Sequence, residues 1–597
     1  MNEGGASDGS HAKAAGVRWD LRPLYAGADD PRLAADTAAA RRRAEAFAAA
    51  HRGTIATAGA ARLRAALAEY EDILERGRRP AFYASLLAAA DSASAVALDL
   101  EQRTIEEETE LRNELVFLEL EVAALDDDAF QAVAADPALV PYRHFLATVR
   151  RTRPHRLTEP EERALARKDV SGREAFVQLY DELGASLRFQ VDPDGPALTE
   201  GEVLALLHHP DAARRARALD TLLTTFAREH LPLTAILNAL LLDHRLDCEM
   251  RAYPSAIAPT HLANEVEPAV VDALMGAVER HYGVVQEFFR LKARLLGGAR
   301  LTIADVYAPI GTPVRVPFAE GRALVLDAFR RFDGGFAARA EAFFTERRID
   351  AEVRPGKRPG AFCAVLGPRD DAWVLASYAD TSRDVATLAH ELGHGVHDAL
   401  ARRQSFLSYH PPLVLAETAS VFAEMLVADH LLACAPDAAT RQRLLVETLD
   451  EMYGTVFRQH ALTRFELAAH AERRARRLDA DEIGALWLRE QQRLLGDAVE
   501  IPAAYRWGWT YIPHFIHSRF YCYSYAFGEL LALALFQRYR ERGPAFVPEY
   551  LELLASGGGA APAELAARLG FDLRSAAFWD GGLAVISARV EDLRRSL

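Results

Sequence analysis

Residues 390–394 read His-Glu-Leu-Gly-His. On a helix, side chains four apart lie one turn apart on the same face, so His390 and His394 can reach a single cation. Glu391 follows the first histidine and is placed to move a proton rather than to bind metal. A catalytic zinc takes three protein ligands and keeps a further position for water. Two downstream carboxylates, Glu417 and Glu424, lie in LAETASVFAE. A glutamate in so small and apolar a stretch is costly to bury without a cation to meet, which makes Glu417 the expected third ligand. Glu424 lies two turns further on and suits an outer position, accepting a hydrogen bond from a ligand imidazole and fixing its tautomer. The expected cofactor is one zinc per chain, though His/Glu ligands also bind cobalt or manganese.

These side chains need rigid elements. Thr381-Ser382-Arg383-Asp384 has capping-box spacing, so a helix is expected from Ser382, with Val385, Leu388, Leu392, Val396 and Ala399 as its apolar stripe. Glu417 falls on a second helix, after a loop long enough to reverse the chain. Between 347 and 380 the period changes: RRIDAEVR, AFCAVLG and AWVLASYAD are short β-prone runs, predicting a small sheet next to the metal helix. Elsewhere the pattern is helical, as in Leu63, Leu67, Tyr70 and Ile73, with a long run over 96–124. Glu106-Glu107-Glu108 reads as a solvated helix face. The segment FQVDPDGPALT at 189–199 breaks this pattern. The expectation is a mainly α protein: a tail over 1–17, an N-terminal helical part over 18–190 and a catalytic domain over 191–597.

The chain has 597 residues, half of them hydrophobic, with a formal charge of −15. That composition excludes a mostly disordered or fibrous chain, and the charge speaks against a nucleic-acid partner. Four scattered cysteines without a C-x-x-C pair make no disulfide framework or thiolate zinc ribbon. With no signal-peptide pattern and no apolar run of about 20 residues, a cytoplasmic location and no membrane partner are expected.

The chain resembles the oligoendopeptidase F group of zinc peptidases, within the broader family of thimet oligopeptidase. The resemblance rests on HELGHGVH at 390–397 with AETAS around Glu417, and on RWDLRPLY at 18–25. It rests too on GKRPGAF at 356–362, and on IPHF at 512–515 running into FYCYSYAFG at 520–528. It implies a two-lobed helical protein around a deep channel, acting on short peptides. His390, His394 and Glu417 carry over as zinc ligands and Glu391 as general base. His514 and Tyr525 match positions near the scissile bond, and Tyr521 matches a substrate contact.

Hydrolysis would then use Glu391 for proton transfer and Tyr525 or His514 as the donor to the developing oxyanion. The strand Ala361-Phe362-Cys363 offers an edge for a peptide backbone. Tyr523 reads as core packing, and His397 and His517 as structural or solvent-facing. Lys357 and Arg358 read equally as a carboxylate contact or a solvated turn. Two rivals remain: a zinc exopeptidase on free-ended peptides, and a non-catalytic helical peptide-binding protein with a structural metal. The preferred cleavage site, the physiological peptide and the oligomeric state are not legible in the sequence.

Overall fold

A computed structural model describes residues 14–312 and 314–597. It is 71% helical with two small sheets, which gives the expected mainly α fold. Most of the tail expected over 1–17 lies outside the described residues. From Val17 the chain is tied down, because its carbonyl accepts from Ala351 N at 2.9 Å and Glu352 N at 3.2 Å. Among the described residues, no helix is long and apolar enough to cross a membrane.

Helices Pro31–His51, Ala60–Ala90 and Ala95–Leu115 pack together near the N-terminus. The stripe Leu63, Leu67, Tyr70 and Ile73 is buried as its spacing requires. The run over 96–124 is two helices, parted at Val116. Glu106 and Glu107 are solvated, whereas Glu108 meets Arg78 at 3.0 Å. The break at 189–199 is a tight reversal in which Phe189 and Leu198 exchange two backbone hydrogen bonds of 2.9 Å. Packing does not stop there: Phe176, Tyr180 and Leu183, from helix Arg173–Ser186, join a core containing Leu222, Leu237, Phe465 and Phe515.

The predicted sheet has three strands. Trp373–Leu375 is central, with Ile349–Asp350 parallel on one side and Phe362–Ala364 antiparallel on the other. Phe362–Ala364 is thus an edge strand. Trp19, Leu24 and Tyr25 of the RWDLRPLY segment pack with Tyr83, Trp373 and Leu375 behind it, and Trp19 lies 6.4 Å from the Phe362 ring. Lys357 is neither a solvated turn nor a carboxylate receptor. Its Nζ donates to the carbonyls of Asp350, Glu352 and Ala376 and pairs with Asp350 Oδ1 at 2.8 Å, stitching the sheet together.

The largest core runs from Val266 to Leu593 and takes in Val385, Leu388, Leu392 and Val396 of the metal helix, Ser382–Ala401. Ala399, the last of the expected stripe, is only partly buried.

Candidate metal centre

The metal helix starts where its cap requires. Asp384 Oδ2 accepts from Thr381 N at 2.8 Å, and Thr381 Oγ1 accepts from Asp384 N at 3.3 Å. This helix crosses the glutamate helix, Thr418–Cys434, at very short range. A Cβ at Gly393 would come within 2.7 Å of Ala419 O and Ser420 Cα, so only glycine allows the approach. Gly395 likewise leaves room for the Phe343 ring, which a Cβ would meet at 2.2 Å. The two glycines interleaved with the histidines therefore set the helix spacing on which the centre depends.

That approach brings His390, His394 and Glu417 together. The two histidine Nε2 atoms lie 3.1 Å apart, and Glu417 Oε2 lies 3.2 Å from His390 Nε2 and 3.5 Å from His394 Nε2. Tetrahedral bonds of about 2.0–2.1 Å give ligand–ligand edges of about 3.3–3.4 Å, so this triangle fits one ion. Ser420 Oγ donates to Glu417 Oε2 at 2.7 Å and holds the carboxylate in place. On the far side of His390, Glu424 Oε1 lies 2.5 Å from Nδ1, which leaves Nε2 free of a proton and facing the other two donors.

The four side chains sit deep in the protein yet keep 21–25% of their surface open, so they line an internal space. Burial alone would lower the pKa of His390, but the Glu424 and Glu417 carboxylates outweigh it and raise it. Burial opposes the charge on Glu417, yet the two histidines hold its carboxyl well below the usual range. Glu391, 6% exposed, is pushed up by burial.

A glycine also admits the third element, the tyrosine helix Tyr523–Arg542. A Cβ at Gly528 would meet Glu417 Cβ at 3.1 Å. His514 Nε2 lies 3.4 Å from the Tyr525 hydroxyl, and the Tyr521 ring sits 5.1 Å from that of Tyr525 and 5.8 Å from that of His514. Burial raises the pKa of Tyr525 and lowers that of His514, so both stay neutral donors at pH 7. Tyr523 is core: its hydroxyl accepts from Asn264 Nδ2 at 2.7 Å. His397 is buried and lowered to about 4, and His517 pairs with Asp181 at the surface. At the edge strand, Phe362 packs toward Trp19, while the Cys363 thiol lies 3.9 Å from Asp398 Oδ2, which burial raises to about 7.

Sequence reading places Ser420 on one face with Glu417 and Glu424 but gives it no role, and it does not single out Asp398 or Glu529. Glu529 lies one turn beyond Tyr525, a spacing that offered a signal, and is 6% exposed with a carboxyl pushed up by burial and by Glu424.

Two histidines and a carboxylate at metal-ligand spacing, lining an internal space of a mainly α fold, define a metallopeptidase architecture. Comparison with known proteins agrees. The description "Peptidase family M3" fits residues 335–585 and "Oligopeptidase F" residues 121–189. The chain is 28% identical to the group B oligopeptidase PepB of Streptococcus agalactiae, over 80% of each chain. It is 27% identical to an oligoendopeptidase F homolog of Lactococcus lactis, over 76% of each. The fold matches a solved structure from Chlamydophila abortus at a TM-score of 0.83, with 22% identity over 97% of this chain and 98% of that one. It also matches oligoendopeptidase-F from Enterococcus faecium at 0.69, with 22% identity over 95% and 97%. The chain belongs to peptidase family M3, in its oligoendopeptidase F group, and is a metallo-oligopeptidase.

Proposed function

We propose that the chain is a zinc-dependent endopeptidase cutting internal bonds of short peptides, with His390, His394 and Glu417 holding the metal and Glu391 as general base. The observation that carries this reading is the triangle of ligand atoms with edges of 3.1, 3.2 and 3.5 Å, with Glu391 one residue from its first member.

Zinc bound there supplies Lewis acidity and lowers the pKa of water to around 7. Glu391 takes the proton released as water attacks the peptide carbonyl and passes it to the departing amine. Its burial favours the protonated form, so it takes the proton from the attacking water readily and holds it until the leaving nitrogen becomes the stronger base. Tyr525, kept a phenol, and His514, kept neutral, donate toward the carbonyl oxygen as charge develops there, a donation worth roughly 3 kcal/mol. Tyr521 packs the substrate beside them. Glu424 fixes the tautomer of His390.

The edge strand at Ala361 and Phe362 aligns the substrate through main-chain hydrogen bonds, a mode that tolerates many side chains. A two-lobed arrangement around a deep channel, and work on peptides inside the cytoplasm, complete the proposal. The test is removal and return of metal. Chelation should abolish cleavage of an end-blocked peptide and zinc should restore it, with product masses placing the cut inside the chain. Release of only terminal residues or dipeptides would turn the reading to the exopeptidase.

A further inference from the structure

Among the described residues, no ion pair neutralises Arg458, a cation whose charge acts on His514. Arg458 ends a π-helical stretch, Tyr453–Arg458. Such a stretch is rare, marks functional sites more often than ordinary helix does, and turns side chains out of the regular register. Arg458 is set deep in the protein but keeps part of its surface open, so it too faces internal space. Among the described residues no hydrogen bond or ion pair reaches its guanidinium. The titratable groups acting on it most are Tyr307, Tyr511, Tyr505 and Tyr453, with no carboxylate among them. This is unusual in a chain of net charge −15, where 70 basic residues have 85 acidic ones to choose from.

The tyrosines are placed to help. Tyr307 and Tyr453 rings lie 6.0 Å apart, and the Tyr307 hydroxyl sits over Gly454, 3.8 Å from where a Cβ would stand. Neither hydroxyl has a hydrogen-bond partner among the described residues. Tyr511 donates to Tyr505 over a long 3.5 Å. A guanidinium with five N–H donors and at least two free hydroxyls able to donate, with no carboxylate among the groups acting on it most, is a donor set suited to an anion. An unpaired buried charge of this kind is costly to keep and is retained where a ligand completes it.

We infer that Arg458, with Tyr307 and Tyr453, receives a carboxylate of the peptide substrate. The inference rests on the oligopeptidase reading and deepens it. Arg458 is near enough to His514 for its charge to act on that imidazole, and His514 is 3.4 Å from the Tyr525 hydroxyl. The anchored carboxylate is therefore held at a fixed distance from the bond to be cut, and a given peptide is cleaved in a preferred register. The carboxylate can be the C-terminus or an internal Asp or Glu; the chemistry is the same.

The experiment compares matched peptides of about ten residues: free acid against C-terminal amide, and, with both ends blocked, Glu against Gln at each position. A charge-assisted pair predicts that one carboxylate lowers KM by about tenfold or more in the wild type. In Arg458→Gln that ratio falls to near one, and Arg458→Lys keeps part of it. A preference for the free acid identifies the C-terminus, and a preference for Glu at one position identifies a side chain. Equal KM for every pair in the wild type, or an unchanged ratio in Arg458→Gln with normal melting, overturns the inference. Calorimetric binding of the same pairs to zinc-loaded Glu391→Gln, which does not turn them over, gives the ratio from affinity alone. The oligopeptidase reading is judged separately, by whether the neutral end-blocked peptide is cut at all.

Discussion

Gly393 of the metal helix faces Ser420 of the glutamate helix so closely that an added Cβ would stand 2.7 Å from the Ser420 Cα. The three candidate ligand atoms come from the metal helix and from Glu417, which sits at the junction of Leu413–Ala416 and Thr418–Cys434, and this contact sets their separation. Gly393→Ala must push backbone away from backbone, which no side-chain rotation relieves. Overpacking of this sort costs about 1–3 kcal/mol, and the shift acts directly on the distance between Glu417 and the histidines. The variant should fold with a lowered Tm and bind zinc more weakly than the wild type, measured by competition with a chromophoric chelator. Wild-type zinc affinity in a folded Gly393→Ala would show that the helix spacing does not matter.

Glu424 reaches the candidate metal centre through its hydrogen bond to His390. With Glu424→Gln the 2.5 Å contact to Nδ1 loses its charge, and the imidazole loses both its fixed tautomer and part of its basicity. Substitutions of such outer partners cost about 10–100-fold in metal affinity or activity. Zinc titration of the variant, followed by kcat at saturating zinc, separates the two effects.

The histidine pair was legible because a four-residue spacing means one helix face whatever the tertiary context. Glu417 was legible because a carboxylate in an apolar helix needs a cation. The sheet was legible from its change of period. Gly393 was not: a sequence shows a glycine between two ligands but not which backbone passes beneath it. In sequence Lys357 reads as a turn residue or carboxylate contact, and its burial by three carbonyls depends on a sheet whose pairing local pattern does not specify. Arg458 was invisible for the same reason twice over. The π-helical stretch displaces it from ordinary helical register, and its tyrosine neighbours come from separate segments around 307, 453, 505 and 511.

Away from the metal, Glu466 is 3% exposed. Its Oε1 accepts from Phe520 N at 2.8 Å, and its Oε2 has no partner. Burial pushes its pKa up to about 8. A folded-state value above the unfolded one means that this group's contribution is fully present below about pH 4.5. It is lost as pH rises to about 8, at about 1.4 kcal/mol per pH unit. Glu466→Gln keeps the acceptor and removes the titration. The variant should therefore gain Tm over the wild type at pH 8.5 and gain little at pH 5. An equal difference at both pH values would mean that the carboxyl is not held neutral in the folded state.

The edge strand gives a prediction about KM. Phe362→Pro removes a backbone donor and stiffens the segment that would pair with substrate. KM should rise severalfold, in line with the loss of one or two hydrogen bonds, while kcat falls less. The same effect should follow in the wild type from N-methylation of one substrate amide near the cleaved bond. If neither change moves KM, the peptide is aligned elsewhere.

The central claim is that Glu391 moves the proton at a metal held by His390, His394 and Glu417. The most direct measurement is turnover of an end-blocked, internally quenched peptide of about ten residues by the wild type and by Glu391→Gln, each with its zinc content determined. The account predicts turnover by the wild type and its loss, by several orders of magnitude, in a variant that still carries one zinc. Turnover persisting in zinc-loaded Glu391→Gln would contradict it and move the catalytic site away from this motif.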